Sequence, residues 1–383
     1  MSFELAIDWP TFLTTYWQKK PVIIRQAFPD FQDPITPDEL AGLAMENEVD
    51  SRLVSQTAAG WQVAHGPFSD FDQLTETHWS LLVQAVNHWH PAAAELMQPF
   101  RALSDWRMDD LMISFSVPEG GVGPHLDQYD VFIIQGAGRR RWRVGNNDVI
   151  AQHSPHPDLL QVAPFDAIID EILEPGDLVY IPPGFPHEGY SLENSLNYSV
   201  GFRAPSGKEL LSGFADYVLA QELGSRRYQD PALALRDSAS EVLGDEAEQL
   251  RGMMTELLRS AEFTPWLGEF LSQSRHELDI APPQPAYQED EVRQALDEGT
   301  PLYRVGGLKV LQLATQTFIN GERFSDADPA FLRLLAQDLT IEAEALQPLI
   351  DDTTTLTQLT GLINAGYWHF AGEEEEEEEE EET

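Results

Sequence analysis

The sequence predicts an α+β protein whose centre is an antiparallel β-sandwich or barrel with helices on both sides. In residues 110–203, short apolar segments follow one another with turn residues at close intervals, which is typical of antiparallel sheets. Helical patterns precede this region and dominate the chain after Pro205. With 383 residues the chain is long enough for two or three domains and a sizeable core.

Residues 1–110 mix helix and strand signals. The segment DWPTFLTTYWQKKPVIIRQAF predicts a short amphipathic helix, a Lys-Lys-Pro break and a strand over residues 22–25. Thr36 and Pro37, followed by acidic residues, predict the first turn of a second helix. The segment HWSLLVQAVNHWHPAAAELMQPFRAL predicts two further helices separated by Pro91.

The central strands are predicted in LMISFSV, DVFIIQG, RRRWRVG, DLVYIPP and NYSVGFR. In the third of these, alternation predicts Arg139, Arg141 and Arg143 on one face and Arg140 with Trp142 on the other. A basic strand face in water accounts for the first three arginines. We expect Arg140 to point inward beside Trp142.

The last part of the chain carries helices and one hairpin. Helices are predicted in KELLSGFADYVLAQEL, EAEQLRGMMTELLRS and TPWLGEFLSQSRHEL, and a Pro-rich linker follows at residues 281–288. A helix over residues 289–296, a hairpin turning at Asn320-Gly321 and helices to about residue 365 resemble a winged-helix module. The tail of glutamates that follows is predicted to be disordered by self-repulsion.

The composition excludes several classes of protein and site. Because the chain has no Cys, it has no disulfides, thiolate metal sites or Cys nucleophile, and any metal must use N and O ligands. No run approaches the roughly 18 apolar residues of a membrane helix. The N-terminus also lacks a signal-peptide pattern. We therefore expect a cytoplasmic protein without membrane contact.

The net charge of -42 indicates what kind of partner the protein can have. Ten of these charges belong to the glutamate tail, residues 373–382, and 32 remain on the body. Such a surface repels nucleic acid backbones, whose binding relies on Lys and Arg, and attracts basic partners. An acidic surface that serves only solubility or salt tolerance is the alternative explanation.

The strongest chemical signal is a histidine and an aspartate two residues apart, followed at a distance by a second histidine. His125 and Asp127 precede an apolar run, and on a strand their side chains would share one face. His187 follows the strand in DLVYIPP and the rigid turn in PPG. Two histidines and one carboxylate leave three open positions on an octahedral metal, as in non-haem Fe(II) oxygenases. The alternative is a structural polar pair at a strand start.

Other histidines fit a metal site less well. His88 and His90 lie in a helical segment, where residues i and i+2 project about 200° apart. We expect them to cap or pack a helix. His153 and His156 are predicted in a Pro-rich loop. Serine hydrolase chemistry has no support, because no Gly-x-Ser-x-Gly elbow is present.

An iron oxygenase of this kind also needs a cation for the far carboxylate of 2-oxoglutarate. The inward Arg140 is our candidate for a bidentate carboxylate clamp. Ser114 and Ser116 share one strand face and could add hydroxyl hydrogen bonds. Asn197 lies in an apolar strand and could bind the same ligand.

The segments PHLDQYDVFIIQGAGRRRWRV and LEPGDLVYIPPGFPHEGYSLENSLNYSVGFR resemble the JmjC-type, cupin-fold 2-oxoglutarate oxygenases. The resemblance is greatest to the bacterial ribosomal oxygenases that hydroxylate an arginine of a large-subunit ribosomal protein. It covers nearly the whole chain, from IDWPTFLTTYWQKKPVII to SQSRHELDIAPP and beyond. The residues that it assigns to Fe(II) are His125, Asp127 and His187. Those that it assigns to 2-oxoglutarate are Arg140, Asn197, Ser114 and Ser116.

The resemblance also implies the architecture, the reaction and the partners. It implies a double-stranded β-helix (cupin/JmjC) catalytic domain over residues 1–205, a helical dimerisation region over 206–280 and a winged-helix-like domain over 281–372. The glutamate tail over 373–383 is not part of the family pattern. The implied enzyme is a homodimer that uses Fe(II), 2-oxoglutarate and dioxygen to hydroxylate an arginine of a basic ribosomal protein. Direct nucleic acid binding is not expected.

Two other functions remain open from the sequence. One is a JmjC oxygenase that acts on another protein or on a small molecule. The other is a catalytically silent, dimeric cupin that serves as a binding module. An intact triad together with Arg140 argues against the silent module.

Overall fold

The computed structural model describes residues 3–324 and 327–371 and divides the chain into two compact units. The first unit contains the described residues up to Ala204, Ser274–Leu308 and the described residues from Leu339 onward. The second contains Pro205–Gln273 and the described residues of Lys309–Asp338. The glutamate tail lies outside the described residues. The four domain ranges given above stay predictions.

The strands of the first unit's sandwich and of the later small sheets alternate with turns along the chain. In chain order they are β1 (Val22–Ile24), β2 (Ser51–Thr57), β3 (Gly60–His65), β4 (Trp79–Val83), β5 (Met108–Ser116), β6 (Asp130–Gln135), β7 (Arg140–Gly145), β8 (Gln152–His156), β9 (Leu159–Val162), β10 (Ala167–Leu173), β11 (Leu178–Ile181), β12 (His187–Ser191), β13 (Ser195–Phe202), β14 (Leu302–Arg304), β15 (Val310–Leu313), β16 (Gln316–Ile319), β17 (Glu322–Phe324), β18 (Thr340–Ile341) and β19 (Trp368–Phe370).

Helices lie mainly before β5 and after β13. The α-helices are α1 (Trp9–Thr15), α2 (Pro37–Leu43), α3 (Pro91–Ala94), α4 (Gly207–Ala220), α5 (Gly244–Leu258), α6 (Phe263–Ser272), α7 (Glu289–Asp297), α8 (Pro329–Gln337), α9 (Ala343–Leu346) and α10 (Thr353–Asn364). Short 3-10 helices span Val86–His88, Glu95–Ala102 and Asp105–Arg107. No helix in the described ranges is both long and apolar enough to cross a bilayer.

Two antiparallel sheets form the predicted sandwich, and this part of the fold prediction is confirmed. The large sheet has the strand order β1-β11-β6-β13-β5-β4-β2-β3, and the small sheet has the order β10-β7-β12. Strands β8 and β9 form a separate two-stranded sheet, named here the β8–β9 hairpin.

The large sheet is covered on both faces, which explains the continuous apolar run of β6. Phe132 belongs to an aromatic cluster beneath the N-terminal helices, together with Phe12 and Phe100. Val131 and Ile133 point the other way and belong to a second cluster, which also contains Trp142 of the small sheet. Each such buried side chain contributes about 1.5–3 kcal/mol through the hydrophobic effect. Successive side chains of β6 therefore pack alternately into the two hydrophobic clusters on opposite faces of the sheet.

One predicted helix is a strand. The structure places Trp79–Val83 in β4, between β2 and β5, where four of its five residues are buried. A short apolar run that is buried on both faces has no polar alternation, so periodicity does not distinguish it from a helix. Beyond Pro91 the chain is helical as predicted, in α3 and the 3-10 helix that follows it.

In the C-terminal half, the hairpin turn lies where the sequence predicts it, and a glycine allows close packing of a helix against a sheet. Asn320 and Gly321 form the predicted two-residue hairpin turn between β16 and β17, with φ of 46° and 83°. In the second unit Gly268 of α6 lies against Phe318, so close that a Cβ would be 2.3 Å from the ring. The contact requires glycine at this position, because any other residue would push the sheet away from the helix.

Candidate active site

The structure brings His125, Asp127 and His187 together. Nε2 of His187 lies 3.5 Å from Oδ2 of Asp127, and Nε2 of His125 lies 3.9 Å from the same oxygen. The three donor atoms all lie within 4.8 Å of one another, as a set that could hold one metal ion. Backbone hydrogen bonds join the two histidines, from His125 N to His187 O at 2.9 Å and from His187 N to His125 O at 2.8 Å.

The interpretation that His125 and Asp127 share one strand face was wrong. The strand after them begins only at Asp130, and His125 contributes no more than a single bridge to β12. The pair lies on the loop before β6, and the turn before His187 anchors this loop through a 2.7 Å bond from Gly184 N to Asp127 O. The loop before β6 and the first residue of β12, rather than the alternation of one strand, therefore aim the side chains at one point.

Both imidazoles are oriented in the same way. Nδ1 of His125 lies 2.9 Å from the carbonyl oxygen of Gly123, and Nδ1 of His187 lies 3.0 Å from that of Phe185. A carbonyl oxygen only accepts, so each Nδ1 carries the proton and each Nε2 presents its lone pair towards Asp127. This is how metal-binding histidines are usually fixed.

The electrostatics of the site keep His187 neutral. Burial lowers the pKa of His187 to about 4; the nearby His125 lowers it as well, while Asp127 raises it. A histidine must be deprotonated to bind a metal, so this ring is ready to bind at neutral pH.

Arg140 is buried inside the sandwich, as predicted. Its Nη1 lies 3.0 Å from Asn197 Oδ1 and 3.3 Å from Ser116 Oγ, and its Nη2 lies 3.1 Å from the carbonyl oxygen of Gly189. Burial lowers its pKa to about 10, so the guanidinium stays charged at neutral pH. None of the acidic residues in the described ranges pairs with it, and its Nε has no hydrogen-bond partner there. A buried cation without an anion is a ready site for a carboxylate.

Three other arginines of this segment face outward, as predicted. They are Arg139, which precedes β7, and Arg141 and Arg143 of β7. Arg139 and Arg141 pair with carboxylates at 2.9 and 2.6 Å, and Arg143 pairs with Glu188. Alternation along this strand thus separates one buried cation from three that are neutralised at the surface.

The predicted polar residues surround Arg140. Ser114 Oγ lies 3.5 Å from its Nη1, and Ser116 is also bonded to Ser80 at 2.7 Å. The amide nitrogen of Asn197 donates to Gln135 Oε1 at 2.9 Å, which leaves its oxygen for Arg140. In the structure Asn197 therefore holds the guanidinium in place.

These residues line a cavity of about 280 Å³. Of the seven candidate site residues predicted from the sequence, six line the cavity wall, and Ser116 is fully buried beside Arg140. Among the further residues of the wall that were not predicted from the sequence are Asp110, Met112 and Tyr129. Their signal was present, since Asp110 and Met112 precede Ser114 at two-residue steps on one strand face.

Asp110 gives the cavity a buried carboxylate. Its Oδ2 accepts hydrogen bonds from Gln84 Nε2 at 2.7 Å and from the backbone N–H of Ala85 at 3.0 Å. Burial raises its pKa, and the nearby His276 opposes this rise. Asp110 lies four residues before Ser114 on β5, about 13 Å away at 3.3 Å per residue. The cavity wall thus contains a cation beside Ser114 and an acid four residues before Ser114 on β5.

The remaining histidines behave largely as structural residues. His90 caps α3 by accepting from Ala93 N at 3.1 Å, as expected. His88 is buried, with Nδ1 2.7 Å from the carbonyl oxygen of Glu277. The prediction of a loop at His153 and His156 was wrong, because both lie on β8, an exposed strand without apolar alternation. Asp109, Asp110 and His276 form a second group that could hold a metal ion.

Family models match two parts of the chain. A JmjC domain matches residues 95–210, and a ROXA-like winged helix matches residues 248–369. Together with the two-sheet sandwich, these matches confirm the predicted fold class.

Relatives match along nearly the whole chain. The ribosomal protein uL16 3-hydroxylase of Escherichia coli (strain K12) is 60% identical, over 97% of this chain and 100% of its own. The probable ribosomal oxygenase of Haemophilus influenzae is 32% identical, over 89% of this chain and 85% of its own.

Solved structures agree with these relatives. An X-ray structure of E. coli ycfD has a TM-score of 0.94 at 60% identity, over 97% of this chain and 100% of that one. The structure of YcfD, a ribosomal oxygenase from E. coli, in complex with cobalt and 2-oxoglutarate has a TM-score of 0.91 at 58% identity, with the same coverage. With this fold and this arrangement of His125, Asp127 and His187, the chain belongs to the JmjC family of ribosomal oxygenases.

Proposed function

We propose that this chain is an Fe(II)- and 2-oxoglutarate-dependent dioxygenase that hydroxylates an arginine side chain of a large-subunit ribosomal protein. One observation carries the proposal: a single cavity combines two histidines and a carboxylate with a buried cation, Arg140, and a buried acid, Asp110. The name of the E. coli relative, a ribosomal protein uL16 3-hydroxylase, agrees with a ribosomal protein as substrate.

The donor set fits Fe(II). His125, Asp127 and His187 would hold the ion with two neutral imidazole nitrogens and one carboxylate oxygen, which is the ligand set of non-haem Fe(II) oxygenases. When bound, Fe(II) supplies the activation of dioxygen that couples oxidation of 2-oxoglutarate to succinate and carbon dioxide with hydroxylation of the substrate. Three protein ligands leave positions for a chelating cosubstrate and dioxygen.

Arg140 would bind the far carboxylate of 2-oxoglutarate. It is charged, buried and without an acidic partner among the described residues, and Ser114 and Ser116 place hydroxyls beside it. Asn197 would orient the guanidinium through its oxygen. The complex of the E. coli enzyme with cobalt and 2-oxoglutarate supports a cosubstrate of this kind.

The other end of the cavity would bind the substrate arginine. A guanidinium pairs with a carboxylate through strong, directional hydrogen bonds, and Asp110 offers a buried carboxylate. Met112 and Tyr129 line the same wall and would pack along the aliphatic part of the side chain. Holding the guanidinium and the aliphatic part of the side chain would fix its reacting carbon near the metal site and keep water away.

The acidic body suits a basic ribosomal protein. With 32 net negative charges outside the tail, the protein would attract a positively charged partner and speed the encounter. A substrate that belongs to the ribosome would place the enzyme in the cytoplasm.

We further propose that the second unit forms a homodimer interface. Large apolar side chains are exposed on α4, on α5 and in the segment between them. They are Leu211, Leu219, Leu233, Leu235, Val242, Leu243, Leu250, Met254 and Leu258. Concentrated exposure of this kind is typical of protein interaction surfaces. A second copy of the same surface is the simplest self-complementary partner.

The function is tested by incubating the protein with Fe(II), 2-oxoglutarate and purified uL16. We expect an arginine-containing peptide of uL16 to gain the mass of one oxygen atom, with matching succinate formation. The His125→Ala variant should do neither. Turnover of 2-oxoglutarate without oxidation of arginine would indicate another substrate, and no turnover at all would indicate a silent binding module.

A further inference from the structure

The loop that carries His125 is held by four successive backbone carbonyls. The carbonyl of Val122 accepts from Gln161 Nε2, and that of Pro124 accepts from Val162 N, both at 2.9 Å. The carbonyl of Gly123 accepts from Nδ1 of His125, and the carbonyl of His125 accepts from the backbone N–H of His187, as described above. Residues 122–125 therefore have one donor on each carbonyl, and half of these donors come from β9.

Two of these four donors are side chains, the imidazole of His125 and the amide of Gln161. Gln161 is the one of the two that is not a candidate metal ligand. It is 4% exposed although it lies on a hairpin whose other strand, β8, is largely exposed. Gly123 lies against its amide, so that a Cβ at this position would be 2.0 Å from Nε2. Gly123 also has a φ of +79°, which suits glycine and brings the backbone up to the amide.

The β8–β9 hairpin also touches the cavity. Leu159 and Leu160 of β9, together with Asp158 before them, line its wall. The hairpin is not hydrogen-bonded into either sheet of the sandwich. The bonds from Gln161 and Val162 therefore connect a separate element to the loop of a candidate metal ligand.

We propose that Gln161 is a positioning residue that holds the His125 loop in the conformation that binds the metal. The inference rests on the proposed function, because it takes His125 as a metal ligand. Its amide fixes the carbonyl of Val122, and the following carbonyl, of Gly123, fixes the imidazole. If the first bond is lost, the loop can shift, and Nε2 of His125 is no longer held at its distance from Asp127.

The test is a titration of the metal-free, full-length protein with Co(II), followed by the visible absorption of the bound ion. Gln161→Ala removes the amide, and Gln161→Met keeps a side chain of similar length but removes the donor. We expect both variants to bind Co(II) about tenfold more weakly. This is the lower end of the loss in metal affinity that is typical when a residue supporting a metal ligand is removed. The absorption spectrum should change as well, since it reports the ligand geometry.

Gln152 provides the matched control, because it lies on the same hairpin but is exposed. Gln152→Ala should bind Co(II) like the unmodified protein, and thermal unfolding without metal should show that all variants are folded. If the Gln161→Ala variant fails to fold, the Gln161→Met variant carries the test.

The outcomes separate the two proposals. Unchanged affinity and spectrum in the Gln161 variants would overturn the inference, and so would full affinity in Gln161→Met alone, because volume rather than the donor would then matter. Failure of the unmodified protein to bind Co(II), or binding that survives His125→Ala, would instead contradict the metal site of the proposed function.

Discussion

At the scale of single residues, the cavity wall contains a buried cation, Arg140, and a buried acid, Asp110. Both side chains are buried, and each is hydrogen-bonded to neutral groups. Burying an ionised group is costly unless a partner of opposite charge arrives. Under the proposed function, Arg140 would therefore select a dicarboxylate and Asp110 a cationic side chain.

Substitution of the two residues should separate the two binding events. Arg140→Met should raise KM for 2-oxoglutarate by about 10- to 100-fold, since a hydrogen-bonded charge contributes about 1.5–3 kcal/mol. Asp110→Asn should leave 2-oxoglutarate binding unchanged and raise KM for uL16 by a similar factor. Steady-state kinetics with each substrate varied in turn measures both effects. Arg139→Met, at an exposed position, is the control. If each substitution raised KM for both substrates by the same factor, the assignment of the two residues to different ligands would be refuted.

His187 predicts how the metal-free protein responds to acid. Its pKa is about 4 in the folded state and about 6.5 when unfolded, so the unfolded chain binds the extra proton first as the pH falls. The contribution of His187 to the free energy of unfolding is therefore constant above about pH 6.5. Between pH 6.5 and 4 the free energy of unfolding falls progressively, by about 3 kcal/mol in total. Denaturant unfolding at several pH values measures the slope. In His187→Gln the slope should be shallower, and an unchanged slope would refute the assignment.

At the scale of elements, a buried network fixes β6 and β11 against the N-terminal part of the chain. Asp130, at the start of β6, is fully buried and accepts from Arg107 at 2.8 Å, from Gln18 Nε2 at 2.9 Å and from Tyr180 at 2.5 Å. Because Asp130 lies close in sequence to Asp127, this network also anchors the end of the loop that carries two of the candidate ligands.

Removing this acid should destabilise the whole first unit. Asp130→Ala leaves the Arg107 guanidinium without its partner, which typically costs about 3–5 kcal/mol in the free energy of unfolding. Asp105→Ala, which breaks a pair nearer the surface with Arg101, should cost no more than about 1 kcal/mol. Chemical denaturation of both variants gives the comparison. Similar costs for the two would mean that the Asp130 network adds nothing beyond a surface pair.

Prediction from sequence succeeded for features that adjacent residues determine. Alternation placed Arg140 and Trp142 inward, and the Asn320-Gly321 pair marked its turn. It failed at Trp79–Val83, because burial on both faces removes the polar alternation of a strand. Asp110 was missed although it precedes Ser114 on the same strand face, because only the pairing of β5 with β4 and β13 places that face in a cavity wall. Contacts between distant segments leave little trace in a single sequence.

At the scale of the whole molecule, surface charge and exposed apolar area govern association. The charge of -42 keeps copies of the chain apart, so a dimer needs apolar contact strong enough to overcome this repulsion. The exposed leucines of the second unit supply such area. Higher salt should therefore strengthen the dimer by screening its repulsion, and should slow binding of a basic substrate by screening their attraction.

Light scattering after size exclusion should give the mass of a dimer for the unmodified protein. Leu219→Asp combined with Met254→Asp adds charge to the exposed apolar surface and should give a monomer, while binding of Co(II) remains. A monomeric unmodified protein would contradict the proposed interface. So would a dimer that the two aspartates leave intact.

The reciprocal backbone bonds between His125 and His187 bear on competition among metals in the cell. These bonds and the Nδ1 contacts are made between protein atoms alone, so little rearrangement of the rings should be needed when a metal ion binds. A rigid pocket of nitrogen and oxygen donors has no soft ligand with which to discriminate, so affinities should follow the Irving–Williams order, with Co(II) and Ni(II) above Fe(II). Iron would then occupy the site through its abundance, and excess nickel or cobalt should act as an inhibitor by simple displacement.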